Sequence, residues 1–434
     1  MTAAAPRLAA AVLLALVAVA GSARAARAAD ELVFWAMGSE ADVADQMLAG
    51  FRQAHPDIPV RVQQVPWSAA HEKLLTAFVG GSMPDVFQLG NTWLAEMATL
   101  GALEPLDQRV AASPSIARDD YFPGVLDPNV IAGRLVALPW YVDTRLLFYR
   151  SDLTAGAKVA DAPKSWDQWK AAMEAVRATG GSDAASRRFG AFLPVDEWQV
   201  PVILALQRGA SLLKDGDTRG NFRSDEVRTA FAFYAGLFAE GLVPTKSEAQ
   251  VANLYREFAA GYFAYFVTGP WNLVELLRRM PPELATSWAT APMPAPLATE
   301  DGSPGASLAG GASLAISATS AHKDAAFKLL EYLSTTTAQA DFRMRSGDLP
   351  SRRSAWDLRG VPTNARAQAF RVQLEHLVST PKVPEWERIA SKVSYHLERV
   401  VRGDTSLDQA LADLDADVDA ILAKRRELVS GARP

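Results

Sequence analysis

The chain contains no cysteine. Disulfides, thiolate nucleophiles and cysteine-based metal sites are therefore excluded from its chemistry. Histidine is also scarce: the five, at 55, 71, 322, 376 and 396, show no ligand spacing, and His71-Glu72 starts like a zinc helix but meets Leu75 where a second histidine would stand. No metal or other cofactor is expected. The phosphate-cradling patterns G-x-x-x-x-G-K-[ST] and G-x-G-x-x-G and the nucleophile elbow G-x-S-x-G are missing, which removes support for nucleotide and α/β-hydrolase chemistry. Basic residues do not predominate, with 44 Lys and Arg against 49 Asp and Glu, so nucleic acid is not an expected partner.

Long apolar runs are nearly absent. The one present, Leu8 to Ala20, is shorter than the roughly 20 residues a helix needs to cross a bilayer. It follows Arg7 and precedes Gly21-Ser22, Ala23-Arg24-Ala25 and Ala26-Arg27-Ala28, so residues 1–29 read as a secretory signal peptide cleaved near Ala25 to Ala29. With no cysteine at that point, the expectation is a free periplasmic protein, not a lipoprotein. Losing Arg7, Arg24 and Arg27 takes the formal charge from −5 to −8.

What remains is ordinary globular material, 49% hydrophobic and 21% charged, and 434 residues are too many for one comfortable core. Leu32-Val33-Phe34-Trp35 reads as a buried strand. Ala41 to Ala54 is a helix with Val43, Met47 and Phe51 on one face, and Ile58, Val60 and Val62 alternate as a strand. Leu74, Leu75 and Phe78 mark a second helix, stopped at Gly80-Gly81, and Asp85-Val86-Phe87 is a short strand. This β-α-β-α-β opening implies a parallel, doubly wound α/β sheet, in which ligands sit beyond the carboxyl ends of the strands. Gln88 to Trp93 is a polar, aromatic loop at such an end. Further on, strands at Leu135–Pro139 and Leu146–Arg150 flank Trp140 to Thr144, residues 291–312 form a Pro/Gly-rich connection, and Ser313 to Ser317 is another strand. Leu407, Leu411, Leu414, Val418 and Leu422 line one stripe of a terminal helix opened by a Ser406/Gln409 capping box.

The wording of several segments resembles the family 1 extracellular solute-binding proteins of ABC sugar importers. Residues 71–107 resemble that family's "G…PDv…w…G.l.pLd" signature, and Phe51 to Ile58 its "F…hPdI.V". Leu138 to Leu153, Pro163 to Trp169, Glu257 to Trp271 and Gly310 to Leu333 resemble four further stretches in the same order, so the likeness spans almost the whole mature chain. It implies the type II periplasmic-binding-protein fold of the maltose-binding proteins: two α/β lobes closing on a ligand about crossing hinge segments. Carried over, one lobe would hold 30–141 and 302–346 and the other 145–296 and 351–434, with hinges near 140–144, 295–301 and 347–351. The Pro/Gly content of the last two hinges suits that role independently.

A carbohydrate site needs carboxylates or arginine for hydroxyls and flat aromatics for the C–H faces of the rings. Tryptophan numbers 11, enough to supply both core and site. Trp166, Trp169 and Trp288 lie in helical or strand-like contexts and suit the core. Trp67, Trp93, Trp140 with Tyr141, Trp271 and Trp386 occupy element ends and are candidate stacking residues; Trp271 follows Gly269-Pro270, where the family often places one. Asp143 and Glu40 are the candidate acids, although Glu40 could equally favour a helix dipole. Gln64, Asn91, the backbone of Gly310-Gly311, and Arg352 complete the set. Asp85 is read instead as a turn cap.

The resemblance implies a protein that captures a carbohydrate, a glucose di- or oligosaccharide such as maltose or trehalose. It would deliver that sugar to the transmembrane subunits of an ABC permease, working as a monomer and not as an enzyme. Two alternatives use the same residues: the same fold around a polyamine or polyol phosphate, and a secreted glycoside hydrolase, which would need a matched carboxyl pair.

Overall fold

The structure is a computed structural model. It describes residues 31–431 except 182, 184, 185, 252 and 359–363, and the expected leader lies outside the described residues.

The chain opens with β1 (Leu32–Met37), α1 (Glu40–Ala54), β2 (Val60–Val65), α2 (Trp67–Val79) and β3 (Val86–Gly90). β1 pairs in parallel with both β2 and β3. Its apolar run is buried because helices cover the sheet: α1 presents Val43, Met47, Leu48 and Phe51 at helical spacing to this core. Asp85 bonds outside β3, its carboxylate accepting from Val33 N (2.9 Å) and Ser320 Oγ (2.6 Å), which ties β1 to the loop at Ser320.

β4 (Leu138–Asp143) joins this sheet and runs almost directly into β5 (Leu146–Tyr149), which belongs to a second one. The segment read from sequence as a loop at Trp140 to Thr144 is thus strand as far as Asp143. Pro139 stands near the strand start, where a missing N–H is tolerated, and its carbonyl accepts from Ser351 Oγ at 2.9 Å. The second sheet adds β6 (Phe189–Phe192), β7 (Phe263–Thr268) and, after α3 (Trp271–Arg279), β8 (Ala289–Ala291) in the order β8-β5-β7-β6. The chain then returns to the first sheet with β9 (Gly310–Ile316) and, after α4 (Thr336–Ser346), β10 (Leu349–Pro350), giving the order β10-β4-β9-β3-β1-β2. β9 starts earlier than its apolar residues suggest because Gly310 and Gly311 pair with Asp143 and Val142.

After β10 the chain crosses a third time. Helix Ala365–Leu374 packs by β8, with Arg366 donating to Trp288 O and Gln373 accepting from Met293 N. α5 (Trp386–Arg402) and α6 (Leu407–Ile421) complete the second core, and Ser406 caps α6 by accepting from Gln409 N at 3.2 Å. Trp166, Trp169 and Trp288 are all buried. The junction between sheets is itself apolar: Val142, Leu146 and Leu349 share a cluster with Phe148, Phe266 and Trp288. Among the described residues no helix is long and apolar enough to cross a membrane.

Candidate ligand cleft

Three consecutive strands of the first sheet deliver side chains to one place. β1 ends at Met37 and the chain turns through Gly38 into Glu40; β2 ends at Val65 and α2 begins at Trp67; β3 ends at Gly90 and leads to Asn91 and Trp93. The turn requires glycine at 38, where φ is +52° and a Cβ would meet Trp67 Cδ1 at 2.9 Å. Together with Tyr141 and Asp143 of β4, Gly310 and Gly311 of β9, Asp348 before β10 and Trp271 from the second sheet, these residues line a cleft of about 540 Å³. Trp67 and Trp271 are the two tryptophans with large exposed faces, and both face this cleft, one from the end of each sheet.

Glu40 is nearly buried and accepts from Tyr141 O–H at 2.9 Å, from Trp67 Nε1 at 3.1 Å and, at the longer distance of 3.5 Å, from Ser39 Oγ. The tyrosine is in turn fixed by Gln88, whose amide donates to its oxygen at 3.2 Å while the Gln88 carbonyl accepts from Met37 N at 2.7 Å. Burial, reinforced by the Glu40 carboxylate, lifts the Tyr141 phenol well above its ordinary range and keeps it a donor. Trp67 and Trp93 meet edge to face with centroids 5.8 Å apart.

Asp143 pairs with Arg145 at 3.2 Å, and burial nevertheless raises its carboxyl above the usual range, against the lowering effects of Arg145 and the Gly311 N–H. Asp348 is pushed up to about 7, first by burial and then by the charge of Glu40. Arg145 is the sole cation among the described residues lining the cleft, against four carboxylates, Glu40, Asp143, Asp348 and Glu387. Such a surface disfavours phosphate and offers acceptors for hydroxyl groups. Among the described residues no cluster of three or more His, Asp or Glu is arranged to hold a metal.

Nine of the sequence candidates meet in this cleft: Glu40, Trp67, Asn91, Trp93, Tyr141, Asp143, Trp271, Gly310 and Gly311. Asn91 also braces it, donating to Gly310 O at 2.9 Å and accepting from Ser313 Oγ at 3.0 Å. Four candidates lie elsewhere. Trp140 is one strand position from Tyr141, so alternation turns its ring away from the cleft and into Phe34 and Phe342 at 6.0 and 4.5 Å. Gln64 points outward and donates to Gly38 O at 2.6 Å, pinning the turn ahead of Glu40 from outside. Arg352 is buried in an ion pair with Asp120 at 2.6 Å and donates to Ser115 O and Ser334 O. Trp386 opens α5 fully buried, its ring against the edge of Trp198 at 5.4 Å.

The cleft also contains residues that sequence reasoning passed over: Asp348, Arg145, Trp198, Gln199, Thr380 and Glu387. Trp198 carried a usable signal, since it too sits at an element end, just ahead of helix Gln199–Gln207. Asp348 fell within a segment read as a hinge, but neither it nor the others carried a signal for the cleft, because partners far apart along the chain bring them together.

Residues 38–340 match the family of bacterial extracellular solute-binding proteins, and the chain belongs to that family. Its members are binding proteins, not enzymes. The sugar-binding protein MalE from Xanthomonas citri is 47% identical over 92% of this chain and 99% of its own, with a TM-score of 0.88. The diacetylchitobiose binding protein DasA of Streptomyces coelicolor is 26% identical over 391 residues, 88% of each chain. The GacH receptor of Streptomyces glaucescens shares the fold, with a TM-score of 0.75 at 24% identity over 91% of this chain and 98% of its own.

Proposed function

We propose that this protein captures a glucose di- or oligosaccharide in the cleft between its two sheets and hands it to the transmembrane subunits of an ABC permease. The observation that carries this reading is the pairing of exposed Trp67 and Trp271 with the carboxylates Glu40, Asp143 and Asp348 in one cleft. The indoles take the C–H faces of sugar rings, and the carboxylates accept their hydroxyls. The likeness to the Xanthomonas citri sugar-binding protein supports the same ligand class. The lobes divide as 30–141 with 302–346 and 145–296 with 351–434, and rotate about segments near 140–144, 295–301 and 347–351. Ligand held by both lobes favours the closed state, a population shift that presents the permease with a distinct surface. The protein works as a periplasmic monomer freed from its leader by cleavage. A mass spectrum of the secreted chain, starting between Ala26 and Asp30 and carrying no lipid, checks that last point.

Isothermal titration calorimetry of the mature protein against maltose, trehalose, sucrose and spermidine tests the ligand class. One-to-one binding of a glucoside, with no products on long incubation, is the expected result. Heat from spermidine alone would assign the carboxylates to a cation and overturn the sugar reading.

A further inference from the structure

A groove of about 300 Å³ runs between α3 and the end of α4, and no described residue lines both it and the cleft. Val274 and Leu277 of α3 and Met344 of α4 expose large apolar surfaces there. Beside them stand Arg343, Arg345 and Arg366, while no Asp or Glu is among the described lining residues. Arg345 is paired, with Asp341 at 2.9 Å. Arg366 uses Nε and Nη2 on the backbone carbonyls of Trp288 and Ala285. Arg343 is only 6% exposed, and its Nη1 is buried with no hydrogen-bond partner. A Cβ at Gly347 would stand 3.8 Å from that nitrogen and 2.8 Å from Val274 Cγ2, which places the unpaired donor at the wall of the groove. The carboxylate whose charge acts on Arg343 is Asp348, and it lines the cleft.

We infer that this groove is a second binding site, for a small amphipathic carboxylate whose head is drawn to Arg343 and Arg366 and whose apolar body lies along Val274, Leu277 and Met344. Three observations carry the inference, and none of them rests on the carbohydrate reading. A buried cation with an unmade hydrogen bond is costly, and an incoming carboxylate supplies the acceptor it lacks. Three cations without a lining anion attract negative charge, while the exposed side chains of α3 and α4 favour an apolar body over a bare inorganic anion. The size also fits: at roughly 30 Å³ per water-sized group, the groove takes about ten non-hydrogen atoms, the size of an eight-carbon acid, and is too small for an oligosaccharide.

The test is calorimetry of the mature protein with octanoate, and with acetate and 1-octanol as probes of charge alone and apolar body alone. Three variants accompany the wild type. Arg343→Met removes the buried cation, and Leu277→Glu places a like charge in the groove at a position 63% exposed, where the fold tolerates it. Trp67→Ala alters the cleft and leaves the groove untouched. The expected result is one-to-one binding of octanoate, weakened at least about tenfold in both groove variants and unchanged in Trp67→Ala, with acetate and 1-octanol each at least about tenfold weaker than octanoate. No binding of octanoate by the wild type overturns the inference. So does affinity that survives in groove variants with wild-type circular dichroism, or that is lost in Trp67→Ala, since the anion would then sit elsewhere. Acetate or 1-octanol binding as tightly as octanoate overturns the amphipathic assignment. Sugar titrations read the cleft separately, so failure here leaves the carbohydrate reading standing.

Discussion

The hydrogen bond between Tyr141 and Glu40 joins β4 to the start of α1, two elements about a hundred residues apart in sequence, and its worth can be measured. Both partners are almost entirely buried, and the hydroxyl donates to a carboxylate at 2.9 Å. Hydrogen bonds to charged groups contribute roughly 1.5–3 kcal/mol, and a buried donor left unpaired costs about 1–3 kcal/mol. Glu40→Ala leaves the tyrosine proton without an acceptor, whereas the Trp67 indole, being partly exposed, finds water. Tyr141→Phe leaves the Gln88 amide without its acceptor and removes the shortest hydrogen bond to Glu40. Each single change should lower stability by about 2 kcal/mol, and the double mutant should lose about 1–2 kcal/mol less than the sum. Urea unfolding at pH 7 without ligand, followed by tryptophan emission, gives the four free energies, provided the slope stays the same across the set. Additivity within about 0.5 kcal/mol would refute the argument, because it would mean that Glu40 is oriented by something other than Tyr141.

Two further outcomes follow from residues around the cleft. Arg352→Ala should lower stability by about 2–3 kcal/mol, because it takes the cation from partly buried Asp120 and the donor from Ser115 O and Ser334 O, while the sugar dissociation constant changes less than about twofold; thermal unfolding and calorimetry on one sample check both. For Asp348, the folded carboxyl titrates near 7 and the unfolded one near 3.8, so the folded state binds the extra proton between those values and stability falls as pH rises through that window. Asp348→Asn should therefore gain relative to the wild type between pH 4 and pH 8, by roughly 1–2 kcal/mol once its water-facing edge is discounted, and a gain that is the same at both pH values would contradict the assignment.

Much of the first sheet was legible because its periods are clean. Val43, Met47 and Phe51 of α1 fall on one helical face, and β1 is an unbroken apolar run. The acids and aromatics at the ends of β1, β2 and β3 were legible for a related reason, since a doubly wound sheet sends every such end to one edge. Trp140 shows where that reasoning stops. Its neighbours Tyr141 and Asp143 face the cleft, and only the strand register, set by pairing with β9 and β10, decides which side an alternating run presents. Arg352 could be read as a cleft residue because its ion-pair partner, Asp120, is 232 positions away. Trp386 follows a Pro-rich stretch that suggested a loop, yet it opens a 17-residue helix. Asp348 carried a hinge signal in Gly347 but none for the neighbouring charges that perturb it.

The placement of β9 has a consequence for how the protein comes into being. It lies between β3 and β4 in the middle of the first sheet, although some 170 residues separate it from β4. Until the ribosome has made residues 310–316, β3 and β4 each lack a neighbour, and the sheet that begins the chain stays open through most of synthesis. Long-range pairings of this kind slow folding. If a chain of this extracellular family is exported unfolded, a late strand inserted at the centre of its first sheet extends the interval in which it remains translocatable.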